Sequence, residues 1–195
     1  MSTVTISDTP FVGNDRLLVG IVLSVLTFWL FAQSVINVVP AMKSSLDISL
    51  ETLTLAVSLS ALFSGCFVVA SGGLADKFGR MRMTTLGLGL SIVGSAMLVV
   101  AQGPGLFLAG RVLQGLSAAC IMPATLALIK TWYEGRARQR AVSFWVIGSW
   151  GGSGLCSFVG GAIATGLGWR WIFVFSIAVA LLALFLLRGT PESRS

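Results

Sequence analysis

Six long apolar runs, separated by short polar breaks, dominate the pattern of this chain. They fall near residues 17–40, 52–75, 83–101, 105–130, 141–164 and 170–188. A polar tail, 1–16, precedes them, and a polar segment, 189–195, follows. Each run suffices to cross a bilayer as a helix, which takes about 20 residues. The pattern therefore predicts an all-α polytopic membrane protein with a six-helix transmembrane bundle over 17–188. No linker or soluble domain interrupts it. Polar residues in mid-membrane occur in the first and fourth runs, which fits a three-plus-three inverted repeat with its site near the midplane.

Composition narrows the function classes. Of 195 residues, 55% are hydrophobic and 10% charged, against about 25% charged in a soluble domain. A net charge of +6 suggests nucleic acid in a soluble protein, but here the position of the charges accounts for it and no nucleic-acid partner is expected. The breaks after the second and fourth runs carry Lys77, Arg80 and Arg82, then Arg136, Arg138 and Arg140. Arg16 precedes the first run, Lys130 ends the fourth, and Arg188 and Arg194 follow the last. The opposite breaks hold Lys43 and Arg170. By the positive-inside rule both termini are expected on the cytoplasmic side of a membrane that the chain crosses several times, with the lipid bilayer as partner. Trp132 and Tyr133 mark a cytoplasmic interface; Trp169 and Trp171 mark an external one. Residues 1–15 carry two acids and no cation, so the first run is not expected to act as a cleaved signal peptide.

There is no histidine, which excludes His-based catalysis and His metal sites. The acids all lie in breaks, ends or run edges, so an embedded aspartyl dyad is excluded too. An enzyme is not expected, nor a metal or bound cofactor. Cys66, Cys120 and Cys156 lie in apolar runs without CxxC spacing and read as small buried residues.

Four groups of residues carry candidate function. The stretch Gly72–Arg82 reads as a polar hairpin between two membrane helices, with Gly72 and Gly79 for close approach, Asp76 placed at a helix N-terminus, and Lys77, Arg80 and Arg82 paired with it or with lipid headgroups. In the first run Trp29, Gln33 and Asn37 recur at four-residue spacing and share a helix face. Amides are costly in hydrocarbon, so this face either bonds to neighbouring helices or lines a cavity. In the fourth run Arg111, Gln114 and Gly115 form RVLQG. Arg111 is either buried against Gln114, Gln33 or Asn37, or snorkels to the external interface. In the fifth run Gly148, Gly152, Cys156 and Gly160 form a small-residue row with Gly161 in the adjoining one, suited to helix packing or to a surface on which helices rock.

The 72–82 stretch, RVLQG, the glycine-rich fifth run and GWRWIF at 168–173 together resemble drug:proton antiporters of the major facilitator superfamily. TFWLFAQSVINVVP, RVLQGLSAACIMPATLALIK and SFWVIGSWGGSGLCSFVGG are similar to its fourteen-span multidrug branch, which exports quinolones. The likeness covers residues 15–193 and corresponds to an N-terminal half. It implies a cytoplasmic gate formed by Asp76, Arg80 and Arg82, Arg111 in the motif associated with proton transfer, and the proton gradient as energy source. Met81 stands where that family has a second consecutive cation. Ala32 replaces a first-span aspartate, and Cys156–Ser157 replaces a Gly-Pro that bends the fifth helix. Because the family continues beyond Thr190–Ser193, the expectation is one half of a drug exporter, a truncated product or a fragment lacking its C-terminal half. The alternative is a non-transporting membrane partner that pairs with a full-length exporter or with itself.

Overall fold

The computed structural model describes residues 11–193, less the side chains of residues 31–37. Six helices follow one another: α1 Asp15–Leu46, α2 Leu50–Phe78, α3 Arg80–Val100, α4 Pro104–Trp132, α5 Gly135–Gly166 and α6 Arg170–Leu187. Helices α2 to α6 are each long and apolar enough to cross a membrane. Helix α1, at 32 residues, spans about 48 Å at 1.5 Å per residue.

Several helices outrun their apolar cores. Helix α1 continues through Pro40 to Leu46, where Asp47 closes it in the left-handed region at φ 50°. Ser49 then caps α2, its hydroxyl accepting from the Thr52 amide at 3.2 Å. The expected polar hairpin at 72–82 is corrected here: α2 runs to Phe78 and α3 begins at Arg80, leaving Gly79 as the whole connection. Its φ of 123° is open to glycine and strained for other residues. Gly72, by contrast, is helical, with Pro123 as the neighbour a side chain would meet. Helix α5 has no proline, yet it contains a π-helical turn at Ile147–Gly151.

Helix α4 is the centre of the bundle. It packs against α2 on one side and α3 on the other, while α1 packs against α5 and α6, and α6 against α3. Glycines set the spacing between α3 and α4. A Cβ on Gly94 would lie 2.9 Å from the Gly110 carbonyl oxygen, one on Gly110 the same distance from that of Gly94, and one on Gly87 2.6 Å from Ile121. In lipid, where apolar burial no longer drives helices together, such backbone approach supplies the dispersion contacts that do.

Two apolar clusters close the ends. One joins Met42, Leu53, Leu98, Phe107, Trp169 and Phe173; the other joins Leu17, Ile21, Leu88, Ile121, Leu128 and Leu187. Arg170 sits at the first end, donating to the carbonyls of Val99 at 2.7 Å and Ala101 at 2.8 Å while lying over the Trp169 ring. It thus satisfies acceptors at the C-terminal end of α3, where a cation also suits the helix dipole. At the other end Tyr133 donates to the Asn14 carbonyl and tethers the start of α1. Burial, and after it the charge of Asp15, pushes this hydroxyl up to about 12, so it remains a donor at physiological pH.

Candidate functional site

Arg111 is fully buried on α4, which removes the snorkelling alternative. Its Nε donates to the Ala56 carbonyl at 3.0 Å, Nη1 to Gln114 Oε1 at 2.9 Å, and Nη2 to Ser60 Oγ at 2.7 Å. Gln114 passes the connection on, donating from Nε2 to Ser95 Oγ on α3 at 3.2 Å. One guanidinium therefore ties α4 to α2 and, through an amide, to α3. The geometry depends on Gly115, because a Cβ there would stand 2.4 Å from the Ser60 carbonyl oxygen. Ala56, Ser60 and Ser95 were not anticipated. Backbone carbonyls have no sequence signature, although serine at four-residue spacing with Gly87 and Ser91 was a visible cue for a packed α3 face.

The sequence placed Gln33 and Asn37 near Arg111; their side chains lie outside the described residues. Trp29 is brought elsewhere, against α5: a Cβ on Gly152 would meet Trp29 Cδ1 at 2.9 Å and Leu26 at 2.8 Å. Gly148 faces Val22, and Cys156 Sγ lies 3.8 Å from the Leu26 carbonyl oxygen. With buried Gly160 these residues form the α5 face turned inward. Gly161 does not share it, having open space where a side chain would go. Trp145 donates to Thr125 at 3.0 Å, whereas Trp150 is exposed.

At the α2–α3 junction, Asp76 lies near the end of α2 and pairs with Arg80 one turn later at 2.9 Å; Arg80 also donates to Thr131 on α4. Asp76 was expected at a helix N-terminus, but that position is taken by Glu192, from the segment after α6. Its Oε1 accepts from the Met81 amide at 2.9 Å and its Oε2 from the Arg82 amide at 3.0 Å. The Arg80 amide is taken by the Ser193 carbonyl at 3.0 Å, and Arg82 Nε lies 3.8 Å from Glu192. The carboxylate meets two otherwise unpaired amide donors and the positive end of the helix dipole at once. It leaves no room at Gly79, where a Cβ would fall 2.3 Å from Glu192 Cδ. A cue existed: α3 starts without a Ser, Thr, Asp or Asn cap, so its amides needed an acceptor from elsewhere. Lys77 is exposed and takes no part.

The structure thus places Arg111 in a buried clamp within the bundle, and Asp76, Arg80 and Arg82 at the α2–α3 junction at its end. Residues 17–195 match the model of the Major Facilitator Superfamily. The chain belongs to that family. It is accordingly a multi-pass membrane protein of a transporter family and not an enzyme. Major Facilitator Superfamily relatives include the quinolone resistance protein NorB of Staphylococcus aureus strains JH9 and Newman. Each is 60% identical over 189 residues, covering 97% of this chain and 41% of the relative. The chain thus spans less than half the length of the curated relatives it matches. Among solved structures, the proton:xylose symporter XylE superposes with a TM-score of 0.80 at 18% identity, over 92% of this chain and 45% of that one. A peptide transporter POT bound to sulfate gives 0.76 at 18% identity, over 88% and 37%. At that identity these two speak for the Major Facilitator Superfamily fold alone.

Proposed function

We propose that this chain forms one half of a multidrug exporter that moves quinolone-like or cationic aromatic compounds out of a bacterial cell. It would work by alternating access against a second helical half, driven by the proton gradient. The observation that carries the reading is the 60% identity to a quinolone resistance protein across 97% of the chain. The second half is supported by α2, which leaves open space where a side chain at Gly65 or Gly73 would go, and Leu62, Phe67 and Val69 exposed. Lipid can cover the apolar residues, but open small residues favour close approach of another helix. With Ala32 in the first span and no membrane-interior carboxylate in the sequence, the proton-carrying acid is assigned to that second half.

The test is drug accumulation in cells. A protein joining this chain to a matching second half is expected to lower quinolone accumulation, and a protonophore to abolish the effect. The 195-residue chain by itself is expected to confer no efflux. Robust energy-dependent efflux by the chain alone would overturn the need for a second half. Co-purification with a full-length exporter, without any change in efflux, would favour the non-transporting partner instead.

The orientation proposed places both termini, the α2–α3 junction and the α4–α5 turn in the cytoplasm. With the native cysteines replaced, a membrane-impermeant thiol reagent added to cells should label a cysteine at Ser45 and spare one at Arg136, both exposed positions. Labelling in the opposite sense would invert the assignment.

A further inference from the structure

Two neighbouring cavities at the end of the bundle carrying the termini share one wall, the turn Arg188–Thr190 that follows α6. The first, of about 230 Å³, is polar and holds Arg16, Arg188 and Asn14. The second, of about 460 Å³, is a mainly apolar groove between Met81 and Thr85 of α3 and Leu184 and Leu187 of α6. Gly189, at φ 86°, makes the turn that leaves Arg188 exposed. Among the described residues Arg188 forms no ion pair, and no carboxylate lines either cavity. Arg16 donates from Nη2 to the Phe185 carbonyl at 2.9 Å, which fixes its guanidinium in the lining of the polar cavity.

We infer that this pair of cavities binds one anionic phospholipid, its phosphate between Arg16 and Arg188 and an acyl chain along the α3–α6 groove. Two arginines without a facing acid are a forked donor set for phosphate oxygens. A basic pocket between membrane helices at a bilayer edge is where such headgroups are held. The apolar groove opening from the same turn suits an acyl chain and gives a soluble phosphate nothing to occupy, so the lipid is favoured over the free anion. Held there, the headgroup would also contact the turn that leads into Glu192 and its hold on α3.

Native mass spectrometry of the purified chain in detergent can test this with phosphatidylglycerol and phosphatidylcholine of identical chains. One phosphatidylglycerol is expected to be retained at least several-fold better than phosphatidylcholine. Arg188→Gln and Arg16→Gln should each remove most of that preference. Arg136→Gln, at an exposed cation elsewhere on the same end, should leave it intact. Thr85→Phe, which narrows the groove, should weaken retention of the lipid, and inorganic phosphate should compete poorly. The Arg188 side chain makes no hydrogen bond or ion pair among the described residues, so its variant reads binding without a folding defect. Equal retention of the two lipids, an unchanged preference in Arg188→Gln, an equal loss in Arg136→Gln, or ready displacement by inorganic phosphate would each overturn the site.

Discussion

Replacing Arg111 by lysine in the transport-competent protein is expected to lower drug export at least several-fold while its abundance in the membrane stays near normal. The reason lies in the shape of the donor set. The guanidinium reaches Ala56, Ser60 and Gln114 from three different nitrogens in one plane. An ammonium keeps the charge but gathers its three donors at one point, so it cannot serve acceptors on α2 and α4 together. The Ala56 carbonyl retains its helical partner, and Ser60 Oγ can fall back on Val57 at 3.3 Å. Gln114 Oε1 loses the donor that Arg111 Nη1 supplies. A buried amide oxygen left unpaired costs on the order of 1–3 kcal/mol, and the partly satisfied ammonium adds to it. Ser60→Ala removes a single acceptor and should have a milder effect. Both variants are read as quinolone accumulation at matched membrane abundance. Wild-type export by Arg111→Lys would show that any buried cation serves and that the fork itself does nothing for transport.

How much of this was visible in the chain differs between backbone and site. The six spans were legible because a membrane helix must satisfy its backbone internally, so run length alone declares it. Their ends were less so. Asp76 and Lys77 read as loop, yet they remain helical because nothing in the last turns of α2 breaks the helix before Gly79. Three-residue spacing on one helix put Gln114 within reach of Arg111, but the sequence left burial and snorkelling as alternatives, and only the packing of α2 against α4 decides for burial. Its bonds to α2 cross 55 and 51 positions, and the first of these acceptors is a backbone carbonyl, which every residue has. Glu192 was read simply as part of the trailing polar segment. Its role depends on a contact across 111 residues, and no local pattern announces a contact of that range. Small-residue rows sat between these cases. The α5 row predicted a packing face but not which helix fills it, and Gly161 lies off the face that Gly152 and Cys156 share.

The second large effect should come from Gly115, which allows the arginine clamp to form at all. In Gly115→Ala the new methyl group would meet Ser60 carbonyl oxygen at 2.4 Å, Cα at 2.9 Å and carbonyl carbon at 3.0 Å. All three are backbone atoms, so no rotamer change relieves the contact and α2 itself must move away. That movement stretches the 2.7 Å bond from Arg111 to Ser60 and the 3.0 Å bond to Ala56. Overpacking of this kind costs about 1–3 kcal/mol, and each weakened buried hydrogen bond adds about 1 kcal/mol. For a protein of this size the sum corresponds to a fall in Tm on the order of 10 °C. Gly89→Ala is the matched control, since a Cβ at Gly89 meets nothing within 4 Å. It should change Tm little or raise it, because alanine is the better helix former. Thermal unfolding of both variants in detergent decides the matter: similar Tm values for Gly115→Ala and Gly89→Ala would mean that α2 and α4 do not approach as closely as the clamp requires.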